Sequence, residues 1–215
     1  MPIKVKTPKW ILYRHTNNWD IVKTVAVNLI QYSNSGISKE EKVFLNERLR
    51  KLKYYKERNP ELPLDAINHK INTLAYFMFG YKYKNQFLFS HLGDLMIDNF
   101  DDSKTSPKIF LAQLFGIQFP HPHGANKVRF KLFPYRLIFK LLTEKRLNGR
   151  LYSTEYTLIL AFVESIDRFS YENLINEILA LRAKSYDEII KKLDSDIEAH
   201  VNAFYEWDYY TTKLL

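Results

Sequence analysis

Asp102 and Lys104 stand two residues apart, with Asp94 and Asp98 just upstream. Carboxylates and a lysine gathered around a divalent metal are what many DNA-cleaving sites use, activating water and neutralising the scissile phosphate. Here Asp94 and Asp98 fall on an expected helix rather than a strand, and no hydrophobic strand leads into Asp102. The segment therefore reads as a solvated loop without catalysis. His121 and His123 have a spacing that can hold zinc, but no third or fourth ligand follows nearby, so they read as part of a loop facing DNA or solvent. The chain has no cysteine, which removes disulfides, thiolate zinc sites and cysteine nucleophiles together. No GxxxxGK[ST], GxGxxG or GxSxG run occurs. The expectation is no catalytic residue, no metal site and no cofactor in this chain.

Other residue types suit a polyanion. Residues 1–150 hold 26 Lys and Arg against 12 Asp and Glu, and residues 151–215 hold 6 against 12. A basic stretch followed by an acidic one points to a face built for a phosphate backbone. The densest cationic run is Arg48, Arg50, Lys51, Lys53, Lys56 and Arg58. A second basic segment, FPHPHGANKVRFK, carries His123, Asn126, Lys127 and Arg129. Base edges need different chemistry. Asn pairs bidentately with adenine, and Lys reaches phosphate. Asn68, His69, Lys70 and Asn72 supply such groups within two helical turns, beside Asp65 and Thr73. Arg14, Asn17 and Lys84 complete the expected DNA-contacting set.

The elements that must position these residues follow from periodicity. Trp10–Thr16 reads as a strand or extended segment. Asn17 and Asn18 can cap a helix from Asp20 to Tyr32, whose apolar positions Ile21, Val22, Val25, Leu29 and Ile30 repeat at helical spacing. Gly36 ends it. Ser38 and Glu41 form a capping-box pattern for a second helix with the stripe Phe44, Leu45, Leu49 and Leu52. RNPELPL breaks that helix. A third runs from about Asp65 to Phe77 on Ile67, Ile71, Leu74 and Met78. FMFGYKY and QFLFS then flank Lys84-Asn85 as a β-hairpin. Helix, helix, helix, hairpin is the order of a winged helix, which makes the third helix the expected recognition helix in the major groove.

Further helices follow. HLGDLMIDNF is one, and Ser106-Pro107 starts another on Ile109, Phe110, Leu114 and Ile117. Pro134 opens a helix through Arg146, and Asn148-Gly149 turns the chain. Ser153, Ser170 and Ser185 are expected caps. Helix 170–183, with Glu172 and Glu177 on its surface, is expected to pack against protein rather than DNA. The rings, 15% of the chain, lie mostly on apolar stripes and read as core. The fold class is mainly α with small β-hairpin wings and winged-helix-like subdomains. Residues 1–100 form the winged-helix-like subdomain and 101–215 a helical, helix-turn-helix-like one. The chain reads as cut within a larger protein, before a second wing or linker and a nuclease domain. With no signal peptide and no apolar run near the ~18 residues of a membrane span, the expectation is a cytoplasmic protein that does not engage a membrane.

Several runs carry a family resemblance. PLDAINHKINTLAYFMFGYKYKNQFLFSHLGDLM, SPKIFLAQLFGIQFP, FKLFPYRLIFKLL, GRLYSTEYTLILAFV and ALRAKSYDEII together resemble the N-terminal recognition region of type IIS restriction and nicking endonucleases of the AlwI kind. IFLAQLFGIQFP is similar to that family's F-L-x-Q-L-x-x-x-Q-x-P segment. WILYRHTNNWDI is similar to its W-x-x-x-x-(S/T)-P-R-N-P start but lacks the Pro-Arg pair, with Arg14 standing earlier. SHLGDLM places His91 where a small residue is common. The resemblance covers about residue 10 to the end. It implies sequence-specific recognition of double-stranded DNA by a monomer. Cutting would fall to a separate nuclease domain that uses a divalent metal such as magnesium. Two readings compete with it: a stand-alone winged-helix transcription regulator, with helix 186–210 as its dimer helix, and a helical protein–protein adaptor with acidic C-terminal helices.

Overall fold

The computed structural model describes residues 18–32, 36–52, 55, 61, 63–121 and 130–195. Their architecture is mostly helical with one small two-stranded antiparallel sheet. They fall into two compact units, one within Tyr13–Ile117 and one from Gln118 onward. The first unit thus runs past residue 100.

In the first unit, α1 (Trp19–Leu29) begins where Asn18 Oδ1 accepts from the Ile21 amide at 3.1 Å, and it relaxes into a 3-10 turn over Ile30–Tyr32. The cap supplies an acceptor for an amide that the helix itself leaves unpaired. Gly36, at φ +80°, then reverses the chain in a conformation that costs glycine little. α2 (Lys39–Arg50) opens on the expected capping box. Ser38 Oγ accepts from Glu41 N at 3.1 Å and Glu41 accepts from Ser38 N at 2.7 Å. α2 buries Leu45 and Leu49. Phe44, expected on that stripe, is instead half in solvent at 52% exposure.

α3 (Pro63–Tyr76) starts two residues before the expected Asp65 and packs against both α1 and α2. Ile67, Ile71 and Leu74 are buried as the period predicts. Met78, expected on the same stripe, has left the helix with φ +64° and is half-buried. β1 (Gly80–Tyr83) and β2 (Gln86–Phe89) pair antiparallel with Lys82 opposite Phe87 and Tyr83 opposite Gln86. The two-residue loop Lys84-Asn85 matches the expected hairpin, with Lys84 left-handed at φ +53°.

α4 (His91–Asn99) starts at Ser90, whose Oγ accepts from Gly93 N and donates to Met78 O at 2.7 Å. A Cβ on Gly93 would lie 1.9 Å from Phe79 O, so only glycine lets α4 start this close to the chain leaving α3. α5 (Ser106–Gly116) packs on α4. The Trp19 ring sits 4.8 Å from Phe110, 5.6 Å from Phe100 and 6.4 Å from Phe79, tying α1, α4 and α5 together. Phe79 and Phe100 are buried and Trp19 and Phe110 half-buried, so this cluster is core as expected.

In the second unit, Phe119 and Leu132 exchange backbone hydrogen bonds of 2.7 and 3.3 Å. α6 (Pro134–Leu142) ends earlier than the expected Arg146. A 3-10 turn over Lys145–Leu147 takes up the remainder before left-handed Asn148 and Gly149. α7 (Ser153–Leu158) has Ser153 as its first helical residue rather than its cap, and Glu155 accepts from Tyr152 N at 2.9 Å. α8 (Arg168–Arg182) is capped by Asp167, not Ser170: the Asp167 carboxylate accepts from Ser170 N at 2.7 Å, and Ser170 answers as the third helical residue. Tyr171, Leu174, Ile175, Ile178 and Leu181 bury one face of α8, while Glu172 and Glu177 remain exposed. Each of those apolar side chains is worth roughly 1.5–3 kcal/mol on full burial, so α8 packs on protein, as its carboxylates suggested. α9 spans 186–195, and Ser185 forms the expected cap with Glu188. Among the described residues, no helix is long and apolar enough to cross a membrane.

Candidate nucleic-acid interface

The buried stripe of α3 turns its other side outward. Asp65, Asn68, His69 and Asn72 follow at i, i+3, i+4 and i+7, one line along a helix. Asp65 and His69 are exposed, and Asn68, Lys70 and Asn72 are half-buried. Thr73, expected on this polar side, is a correction. It is 1% exposed, and its hydroxyl donates to His69 O at 3.0 Å, the back-bond that lets a threonine sit in a core. The outward line is therefore four residues, with Lys70 at its edge.

The C-terminal end of α2 supplies cations. Arg48, Arg50 and Lys51 are all exposed. Arg48 is held in place: its guanidinium lies 4.7 Å from the Phe44 ring centre and donates to Asn28 Oδ1. Asn28 in turn donates to Thr24 O at 2.7 Å. The exposure of Phe44 is explained by this partner, since a guanidinium over a ring shields apolar area and keeps its charge in water. An open cleft of ≈ 320 Å³ lies alongside, lined by Asp20, Lys23, Thr24, Val27, Asn28 and Leu52.

The hairpin supplies a third group. Tyr81 and Tyr83 share one side and are 51% and 54% exposed. Lys84 Nζ lies 5.4 Å from the Tyr83 ring centre. Lys82 is on the opposite side, cross-strand from buried Phe87. Partial desolvation, and then the nearby Lys42 charge, hold the Lys82 ammonium below the usual lysine range. Neither Lys42 nor Lys82 stood out in the sequence. The available signal was strand alternation, which puts Lys82 on the Phe87 side.

The motif that suggested metal chemistry has a different use. Asp102 accepts from Lys104 N at 2.8 Å and Thr105 N at 3.2 Å, closing the turn before α5. Hydrogen bonds from the Thr105 side chain, then from the Lys104 and Thr105 amides, hold its carboxyl below the usual range. Among the described residues, no three His, Asp or Glu side chains are grouped to hold a metal ion. His121, expected in an exposed loop, is buried at 5% exposure. Arg14, Asn17, Lys53, His123, Asn126, Lys127 and Arg129 lie outside the described residues.

In the second unit, Arg146, Arg182 and Lys140 are engaged within the chain. Arg146 bridges Glu144 and Glu172, each at 2.9 Å, and Arg182 Nε donates to Glu155 at 2.6 Å. Lys140 Nζ sits 3.8 Å from the Tyr171 ring centre.

Residues 5–215 match the family model described as "Type II restriction endonuclease HgaI, N-terminal domain". The chain is 41% identical over 212 residues to the type II restriction enzyme HgaI of Avibacterium volantium. The alignment takes in 96% of this chain and 43% of that enzyme, so the chain spans less than half its relative's length. No solved structure matches.

Proposed function

Because the chain belongs to the family of the type II restriction endonuclease HgaI N-terminal domain, we propose that it is the module that recognises double-stranded DNA in a type IIS restriction or nicking endonuclease. The family is that of HgaI, a type II restriction enzyme as the sequence resemblance implied; the match does not extend to the AlwI kind. The match over 5–215 is the observation that carries this reading. Three packed helices followed directly by a hairpin support it, because that is the element order of a winged helix, whose third helix is the recognition helix.

In this reading Asn68, His69 and Asn72 face base edges, and Asn72 pairs with adenine. Lys70, Lys84, Arg48, Arg50 and Lys51 hold the phosphate backbone, which positions the protein without specifying sequence. Lys53 and the segment His123, Asn126, Lys127 and Arg129 add contacts, as do Arg14 and Asn17. The chain binds as a monomer, because a type IIS site is asymmetric and offers no two-fold axis to a dimer. Catalysis, with a divalent metal such as magnesium, belongs to a separate nuclease domain.

The test is a fluorescence-anisotropy titration of a labelled duplex at several salt concentrations. Phosphate contacts release counterions, so log K should fall linearly with log salt, at a slope of about −0.9 per contact. Absence of duplex binding at low salt would overturn the proposal.

A further inference from the structure

The two faces of the hairpin differ. Phe87 and Phe89 share one, their rings edge to face at 4.9 Å, and Phe87 is buried. The register puts Tyr81 with Leu88, and Tyr83 with Gln86, on the other. There Leu88 and Gln86 are half-buried, while both tyrosines are exposed. Lys84 follows at the turn, its Nζ 5.4 Å from the Tyr83 ring centre. Residues 80–89 include two lysines and no carboxylate. The hairpin is also tied down. Ile37 N donates to Asn85 O at 3.2 Å, β2 packs on the 3-10 turn Ile30–Tyr32, and β1 contacts α3. The tyrosine face is thus fixed to the helices before anything binds it.

We propose that the face carrying Tyr81 and Tyr83 lies along the sugar–phosphate backbone of one strand of duplex DNA, each ring against a deoxyribose and each phenol hydroxyl donating to a phosphate oxygen. This rests on the DNA-recognition reading above and adds two contact residues to it. Residues i and i+2 of a β-strand stand roughly 6.7 Å apart, close to the repeat of phosphates along one DNA strand. A tyrosine suits that backbone, because its ring covers the C–H surface of a sugar while its hydroxyl reaches the charged oxygen beyond. With two χ angles it loses little side-chain entropy, and on an anchored hairpin little backbone entropy is lost either. Lys84, with no carboxylate on the hairpin to oppose it, draws phosphates to this face. Contacts to sugar and phosphate position the protein and carry no sequence information.

The test separates hydroxyl, ring and charge. Tyr81→Phe, Tyr83→Phe, Tyr81→Ala, Tyr83→Ala and Lys84→Gln are compared with the whole wild-type chain for duplex affinity across a salt series. Tyr186→Phe and Tyr186→Ala, at an exposed tyrosine of the second unit, are the controls. Removing either hydroxyl should weaken binding about two- to tenfold, the worth of one hydrogen bond, and removing the ring should weaken it further. The loss should be equal on any duplex sequence. The salt slope of the tyrosine variants should match the wild type, because a neutral side chain releases no counterion, whereas Lys84→Gln should shallow it by about 0.9. All variants should melt with the wild type, since the substituted side chains are exposed. Wild-type affinity in either Tyr→Phe variant overturns the backbone contact and leaves the DNA reading standing, also where the alanine variants lose affinity, as they would if the rings stacked on bases. A loss confined to one duplex sequence overturns it too, because it would mean base readout. Failure of the wild type to bind duplex overturns the reading beneath it, and this contact with it.

Discussion

Arg182, the last residue of α8, makes four hydrogen bonds with its guanidinium. Its Nε donates to Glu155 Oε1 at 2.6 Å and its Nη2 to Oε2 at 3.2 Å. Nη1 reaches Leu147 O at 3.0 Å and Nη2 also reaches Arg150 O at 2.6 Å. The Glu155 side chain is 1% exposed and that of Arg182 21%. Arg182→Met keeps most of the apolar stem but leaves a buried carboxylate with only the Tyr152 amide, and two carbonyls without this donor. Removing one partner of a buried pair costs about 3–5 kcal/mol. The rim of Arg182 is open to water, which puts the expected loss near the lower end, about 3 kcal/mol. At about 4–8 °C per kcal/mol for a domain of ~60–100 residues, the melting temperature should fall by at least about 12 °C. Circular dichroism measures the drop. Hydrogen exchange locates it, with peptides from α6 to α8 losing protection and those from α1 to α5 keeping theirs. Adding Glu155→Leu should recover part of the loss, because a neutral apolar pair no longer strands a charge. A single variant within about 0.5 kcal/mol of wild type, the worth of an exposed pair, would refute the reasoning.

Other outcomes are expected. Gly93→Ala should cost at least about 1–3 kcal/mol by urea unfolding, because its Cβ would meet Phe79 O at 1.9 Å; an unchanged midpoint would show that α4 can shift freely. Asn72→Ala should weaken cognate binding by about 1–3 kcal/mol and random duplex far less, while Lys70→Ala should weaken both alike; equal losses on both duplexes for Asn72→Ala would remove it from base readout. Asp167 has a folded-state pKa below its ordinary value because it accepts from Ser170. Its stabilising effect is present above the ordinary carboxylate range and is lost as pH falls through the depressed folded value. Asp167→Asn keeps a cap and should flatten the acid side of the stability–pH curve, and an unaltered curve would count against the cap. With magnesium or manganese, the chain should leave supercoiled plasmid intact; cleavage abolished by Asp102→Ala would show that Asp102 does more than close a turn.

Local signals in the sequence were legible where one residue type satisfies one backbone need. The Ser38–Glu41 box, the Lys84-Asn85 loop and the Ser185 cap all formed where their patterns stand. Caps were misplaced where two candidates competed. Asp167 outbid Ser170 because a carboxylate and a hydroxyl three apart can each serve the other's amide, and a one-sided pattern does not say which stands first. Periodicity found Ile67, Ile71 and Leu74, yet misjudged Thr73 and Phe44. Thr73 hides its hydroxyl on its own helix, and Phe44 is covered by a charge from its own helix, so neither follows from hydropathy. The cationic end of α2 was visible as composition. The bond from Ile37 N to Asn85 O, which ties the hairpin loop to the segment entering α2, was not, because no local pattern encodes it.

Selection from a random duplex library tests the central claim most directly. The wild-type chain, held at moderate salt so that phosphate contacts alone do not retain DNA, should enrich one short asymmetric sequence bound by a single copy of the chain. Asn72→Ala should lose preference at one adenine of that sequence and keep the rest. A pool that stays random after repeated rounds, or a palindrome bound by two copies, would contradict recognition by this module.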